Sequence, residues 1–334
     1  MKLAAGAILG LGLFAGSASA QTSTISPREQ VAEMGRGMNI LSSDPYWTDP
    51  SHAHFKPQYF AMLKSSGFSN VRIAQAFFAH RSANGNSLDP VFLQRLDWVV
   101  NQAIQAGLSV VIDNNNDEKN CDPIGKTCID METSIWREVA YHFRNSPPTV
   151  MFELYNEPGN GISADWNNNI IEMLTAIRET NPTRNVIIGP PHGYHFQYLP
   201  ELKLPDYDHH IIVTVHYYDP TNFTNQGASW WSPTNRPPVG THWGNSGEVA
   251  RVQTDFNFIA QWAQQARRPI YLGEFGALET ADMPDRVAWI STVAKQAELH
   301  GFSWSYWQFD KDFVAYDVKD DHWVQPIYEA LTNH

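Results

Sequence analysis

The sequence predicts an α/β fold, a single closed (β/α)8 barrel, and three observations carry that expectation. Short apolar, β-branched runs recur eight times along the 334 residues. Longer stretches with apolar residues at helical spacing lie between them. No low-complexity linker or appended module interrupts the chain after Gln21. Alternating strands and helices build βαβ units and a parallel sheet, and eight unbroken units suit a closed barrel better than an open doubly wound one. Length alone would suggest two domains, but α/β barrels routinely use more than about 200 residues as one.

The strand-like runs are residues 37–40, 70–73, 109–113, 150–155, 185–189, 211–216, 269–275 and 301–307. Among the helical stretches, 90–106 carries Val91, Leu93, Leu96, Val99, Val100 and Ile104 and stops at Gly107. Residues 165–180 carry Trp166, Ile170, Ile171, Leu174 and Ile177 and stop at Asn181-Pro182. The stretches 249–265 and 283–300 repeat the pattern, the latter ended by Gly301. Ahead of all of them, residues 1–20 read as a secretory signal: Lys2, an apolar stretch from Leu3 to Ala15, and Ala18-Ser19-Ala20 as an A-x-A cleavage site. The expected mature barrel is 21–334, exported to an extracellular or periplasmic compartment. No other segment approaches membrane length.

Composition excludes several classes. At 43% hydrophobic and 17% charged, the chain is too apolar to be disordered. A net charge of −12 is the wrong sign for a general phosphate-backbone binder, so no nucleic-acid or membrane partner is expected. Cys121 and Cys128 lie in a short Pro/Gly-containing loop, and in an oxidising compartment a local disulfide is the expected state. A metal there is the weaker alternative, since no His or second Cys pair stands at ligand spacing. No metal or other cofactor is expected elsewhere either: the histidines form no H-E-x-x-H pattern, and no G-x-S-x-G elbow occurs.

In such barrels chemistry sits at the C-terminal strand ends. Two of those ends carry a carboxylate followed by a break in the chain. Asn156-Glu157-Pro158 closes the fourth run and Gly273-Glu274-Phe275-Gly276 the seventh. Strand alternation would put Glu153, Tyr155 and Glu157 on one face, and Ile270, Leu272 and Glu274 on another. Strands four and seven face each other across a small barrel. Two carboxylates over one cleft suit glycoside hydrolysis, one protonating the leaving oxygen and the other attacking carbon. Glu153 lies deeper and reads as a buried structural acid with a cationic partner, for which Arg72 is a candidate.

With Arg36-Gly37-Met38-Asn39, Asn156-Glu157-Pro158, His216-Tyr217-Tyr218, Gly273-Glu274-Phe275-Gly276 and Tyr306-Trp307 in this order, the chain resembles glycoside hydrolase family 5, the cellulase-type barrels. The resemblance implies a retaining endo-β-1,4-glucanase acting on a polysaccharide, cellulose or mixed-linkage β-glucan, as a monomer. Mannan, xyloglucan or xylan would keep the mechanism and change the sugar. From other classes, a non-catalytic glycan-binding barrel has no need of two facing acids. The resemblance implies Glu157 as acid/base and Glu274 as nucleophile, with Asn156 on the sugar 2-hydroxyl. It further implies Arg72 and Tyr218 orienting Glu274, His216 lining the cleft, and Trp307 beneath the sugar. Arg72 and the phenol are expected to lower the nucleophile's pKa. The family's D-x-H segment departs here to Asp113-Asn114-Asn115-Asn116, so Asn115 or Asn116 stands where a histidine is usual and cannot carry a proton.

The chain has 12 Trp. Trp136, Trp262 and Trp289 fall in helical patterns and read as core. Trp47, together with Trp230, Trp231 and Trp243 in the long polar stretch 219–247, are candidates for stacking on sugar.

Overall fold

The structure, a computed structural model, describes residues 24–83, 85, 87–115 and 121–333. The signal-like stretch 1–20 and Asn116 lie outside the described residues. Helix α1 (Pro27–Met34) comes first, started by Pro27 and a reciprocal capping box between Ser26 and Glu29. The strands β1 (Arg36–Ile40), β2 (Asn70–Gln75), β3 (Ser109–Asn114), β4 (Val150–Glu153), β5 (Val186–Ile188), β6 (Ile211–Tyr217), β7 (Ile270–Phe275) and β8 (Ser303–Tyr306) follow. They pair in parallel in sequence order, and β8 closes on β1.

Helices α2 (Gln58–Ser65), α3 (Pro90–Gln105), α4 (Lys126–His142) and α5 (Trp166–Arg178) return the chain after the first four strands. After β6, β7 and β8 come α6 (Ser246–Ala266), α7 (Met283–Leu299) and α8 (Gln325–Thr332). The connection after β5 carries only the 3-10 helix Phe196–Glu201, so one of the expected crossovers is shortened. No helix among the described residues is long and apolar enough to cross a membrane.

Two apolar cores result. The larger lies between strands and helices. The smaller fills the barrel interior, where Val111, Met151, Ile187, Ile212 and Tyr271 meet Val31 and Met34 of α1. Helix α1 therefore plugs the N-terminal end of the barrel. Above this plug the interior turns polar, with Asn39, Arg72, Asp113, Glu153, His216 and Glu274 all buried.

Alternation fails at two strand ends, and both failures matter for the site. Strand β4 stops at Glu153, two residues earlier than expected, and Tyr155 packs outward against Trp166. It does not share a face with Glu153. In β7, Ile270 and Leu272 belong to the outer core while Tyr271 faces inward. The β6–β7 register then skips a residue, pairing Val215 with Leu272 but His216 with Glu274. Gly273 is the extra residue of a bulge, which re-aims Glu274 to the inner side. Cys121 and Cys128 form a disulfide, Cα–Cα 5.3 Å, between the β3 connection and the first turn of α4. One residue of α4, Glu132, accepts from the Asn114 side chain at 2.7 Å, tying that helix to the end of β3.

Candidate active site

Arg72 organises the C-terminal end of the barrel. Its position on β2 places it beside Asn39 of β1 in the sheet register. Its Nε and Nη2 donate to the two oxygens of Glu153 at 2.7 and 3.0 Å. Its Nη1 donates to Glu274 at 2.7 Å and to Asn39 Oδ1 at 3.0 Å. Nη2 also reaches Asn156 Oδ1 at 2.8 Å and Asp113 at 2.9 Å. The guanidinium fork suits this work, since its donors are fixed in a plane and stay charged. Asn39 completes the frame by donating to the Gly273 carbonyl at 2.9 Å, which pins the bulge.

Glu274 receives a second bond from the Tyr218 hydroxyl at 2.8 Å. His216 Nδ1 is hydrogen-bonded to Glu157 Oε1 at 2.5 Å and lies 3.6 Å from Glu274. One carboxylate oxygen of Glu157, one of Glu274 and a ring nitrogen of His216 lie within 4.8 Å of one another. Glu157 follows the end of β4 with φ +44°, a left-handed conformation in which a non-glycine residue is uncommon. Its side chain is 30% exposed, against 6% for Glu274.

The glycines of the seventh strand are explained by packing. A Cβ on Gly273 would lie 2.7 Å from Thr214 Oγ1 and 3.1 Å from His216 Nε2. One on Gly276 would lie 2.3 Å from the Trp307 carbonyl oxygen and 2.8 Å from Phe313.

Burial pushes Glu157 up to about 7, with Arg72 pulling it down and Glu153 adding to the rise. Burial also raises Glu274, helped by Glu157, while His216, Arg72 and the Tyr218 hydroxyl pull it back. The expected lowering of Glu274 by Arg72 and Tyr218 is thus present but smaller than the desolvation it opposes. Burial pushes His216 down to about 4 in spite of Glu274, so its ring is neutral at neutral pH. Asp113 is driven well above the carboxylate range by burial, against the pull of Arg72. Burial works against the Arg72 cation, and Asp113, Glu153 and Glu274 more than offset it.

A cleft of about 380 Å³ opens over these groups, lined by Asn156, Glu157, Tyr218, Glu274 and Trp307. Asn115 borders it too. Of the four stacking candidates, only Trp230 lines this cleft; it is 55% exposed and stacks on Phe313. Trp231 is half-buried against the outer core. Trp47 is corrected to a core residue: it is 4% exposed, donates its indole N–H to the Leu41 carbonyl at 2.6 Å and packs on Tyr46 and Phe92. Trp243 is likewise buried, against Phe223, and does not line this cleft.

Sequence reasoning placed Asn39 and Asp113 at strand ends without giving either a supporting role, and it missed the rim residues Lys311, Asp312 and Phe313. A charged residue inside the apolar run of β3 was the available signal for Asp113. The rim residues belong to a loop with no such signal.

The sequence profile described as Cellulase (glycosyl hydrolase family 5) matches residues 29–312. Endoglucanase H of Acetivibrio thermocellus is 30% identical over 331 residues, covering 94% of this chain and 34% of that protein. The chain thus spans about a third of that relative's length. Among solved structures, a hyperthermophilic endo-β-1,4-glucanase in complex with substrate superposes with TM-score 0.86 at 36% identity, covering 93% of this chain and 100% of that one. Thermotoga maritima Cel5A in complex with mannotriose superposes with TM-score 0.84 at 33% identity, covering 91% and 99%.

Proposed function

Since the chain belongs to glycosyl hydrolase family 5, we propose that it is an exported endo-β-1,4-glucanase that cleaves internal bonds of cellulose or mixed-linkage β-glucan with retention of configuration. The observation that carries this reading is the approach of Glu157 and Glu274, with carboxylate oxygens within 4.8 Å. Retaining enzymes hold their carboxyl groups about 5–5.5 Å apart, whereas inverting enzymes leave about 6.5–9.5 Å for a water.

In the first step a Glu274 oxygen attacks the anomeric carbon as the glycosidic C–O bond breaks. The Glu157 proton passes to the departing oxygen. In the second, Glu157, now a carboxylate, takes a proton from water as the water oxygen displaces Glu274 from the same carbon. Both carboxyl groups end as they began. Arg72 and Tyr218 favour the Glu274 anion before attack. Burial keeps the Glu157 proton available near neutral pH. Asn156 and Trp307 contact the ring, and Asn115 supplies a hydrogen-bonding amide where the family usually has a titratable histidine. Residues 1–20 support export, with the barrel from 21 onward acting as a monomer without a cofactor.

A second reading keeps the mechanism and exchanges glucan for mannan; the mannotriose complex of Thermotoga maritima Cel5A favours it over other sugars. Reducing-sugar release from carboxymethyl cellulose, mixed-linkage β-glucan, galactomannan, xyloglucan and xylan separates the two. Fastest release from the glucans supports the first reading and from galactomannan the second. Release from none of them would leave a binding barrel.

A further inference from the structure

Glu157 stands on a backbone that needs support. It lies beyond the end of β4, with φ +44°. A left-handed backbone at a non-glycine residue persists where the surroundings over-determine it, and such positions cluster at functional sites. Both chain neighbours of Glu157 are anchored. On one side the Asn156 N–H donates to the Asn114 carbonyl at 2.8 Å, at the end of β3. On the other, Pro158 is buried and its carbonyl accepts twice, from the Ser163 hydroxyl at 2.9 Å and from the Gly193 N–H at 3.1 Å. Ser163 closes the helical turn Asn160–Ser163 and is 6% exposed. A serine hydroxyl can accept as well as donate, and this one accepts from the His192 N–H at 2.9 Å. It therefore ties the loop after β4 to the loop after β5.

The loop after β5 has a backbone of its own kind. His192, Gly193 and Tyr194 have φ of +59°, +72° and +57°, three left-handed residues in a row. Residues other than glycine visit that region rarely, and then singly. The strap they form reaches both partners of one hydrogen bond. At its start, His192 and Gly193 hold Ser163 and Pro158, next to the Glu157 backbone. At its end, the Tyr194 carbonyl accepts from the His216 N–H at 3.0 Å. The Tyr194 ring, wholly buried, stands edge-on to the His216 ring at 5.2 Å, and its hydroxyl donates to the Tyr155 carbonyl. His216 Nδ1 in turn meets the Glu157 carboxyl at 2.5 Å. A closed circuit thus runs from the Glu157 backbone through Ser163, the strap and His216 to the Glu157 side chain.

We propose that Ser163 and the left-handed strap 192–194 are positioning residues for Glu157, holding its carboxyl in register with the bond it protonates. None of the four lines the cleft, so they act through Pro158 and His216 rather than on the substrate. The proposal rests on the acid/base role of Glu157 given above.

Ser163→Ala leaves the His192 N–H without its acceptor and the Pro158 carbonyl with one donor. Gly193→Ala strains the strap instead, since its Cβ would meet no heavy atom within 4 Å and packing stays as it is. Cellotetraose needs its leaving oxygen protonated, whereas dinitrophenyl β-cellobioside does not. On cellotetraose, kcat/KM should fall about tenfold in each variant, part of the roughly 10²–10⁴ that a general acid is worth. On dinitrophenyl β-cellobioside it should stay within about twofold of the parent, because that step asks no proton of Glu157. The alkaline limb on cellotetraose should also move to lower pH, as a freer carboxyl gains water. Mannotetraose and the matching mannobioside serve if galactomannan is the faster polymer. A merely structural role would slow both substrates alike and leave the limb in place. Equal loss on both substrates in Ser163→Ala, or loss on neither, overturns the proposal; if that variant does not fold, the same comparison in Gly193→Ala decides. Glu157→Gln is the control. Were it to slow both substrates alike, the acid/base role itself would fail and the proposal with it; a split in Glu157→Gln without one in Ser163→Ala overturns the positioning role alone.

Discussion

Arg72 is wholly buried and still charged because two acids and two amide oxygens accept from its donors and a third acid, Asp113, stands in ion-pair range. Its removal would strand those acids in a dry interior, which is costly for a buried pair. The proton inventory of the site follows from the same crowding. Glu157, pushed up to about 7 by burial, holds its proton at rest, and the proposed first step consumes that proton. The rate therefore falls as pH rises through about 7. A pH profile of kcat/KM should show that alkaline limb on polysaccharide and lose it on a glycoside whose leaving group needs no protonation. Glu157→Gln should lower kcat on polysaccharide by about 10²–10⁴-fold, the usual worth of general acid–base catalysis, and Glu274→Gln should abolish hydrolysis while leaving the circular dichroism spectrum intact.

The same shift has a stability consequence with a defined sign. Glu157 rises from 4.5 in the ordinary state to about 7 in the fold, so folding binds a proton between those values. Below 4.5 the group is neutral in both states and burial costs it little. Above 7 it is ionised in both, and the fold carries a penalty of about 3 kcal/mol. Glu157→Gln should accordingly raise the melting temperature at pH 8 and leave it nearly unchanged at pH 4. An equal shift at both values would mean that burial of the charge is not the cause.

At the scale of elements, β7 sets the facing of the proposed nucleophile. A regular strand would send Glu274 outward with Ile270 and Leu272; the bulge at Gly273 brings it inward. Gly276 then lets the Trp307 carbonyl pass where a side chain would stand. Gly276→Ala should cost about 1–3 kcal/mol, as overpacking does, and should impair kcat/KM as well, because Trp307 borders the cleft. Denaturant melts alongside steady-state kinetics would check both; a variant as stable and as active as the parent would show that Trp307 and Phe313 yield freely. Across the barrel, helix α4 carries Cys128 of the disulfide and is tied to the end of β3 by Glu132.

For the whole molecule, the barrel interior is divided between an apolar plug and a charged layer. Val31 and Met34 of α1 close the bottom, and the layer around Arg72 occupies the top. Met34→Ala should cost about 2–5 kcal/mol, the usual range for emptying a buried methionine site. Calorimetry would test it, and a small loss would show that α1 collapses into the space.

How far the sequence alone reaches follows from where each residue's position is decided. Strand order, the alternation of strands and helices, and the presence of Glu157 and Glu274 at the ends of β4 and β7 are local properties, written in hydrophobic period and turn chemistry. Glu153 was legible as a buried acid beside a cation, because a charge within an apolar run needs a partner. Which way Glu274 points was not legible, since the β6–β7 register is a pairing between distant segments. Nor was the fate of the tryptophans: Trp47 and Trp243 lie in loop-like sequence, yet each is buried by residues far from it in the chain. The sequence by itself determined the family, the barrel and the strand ends at which the two proposed carboxylates stand. Only the tertiary structure decided the facing, burial and charge of the groups, because these depend on what packs against each residue rather than on its neighbours along the chain.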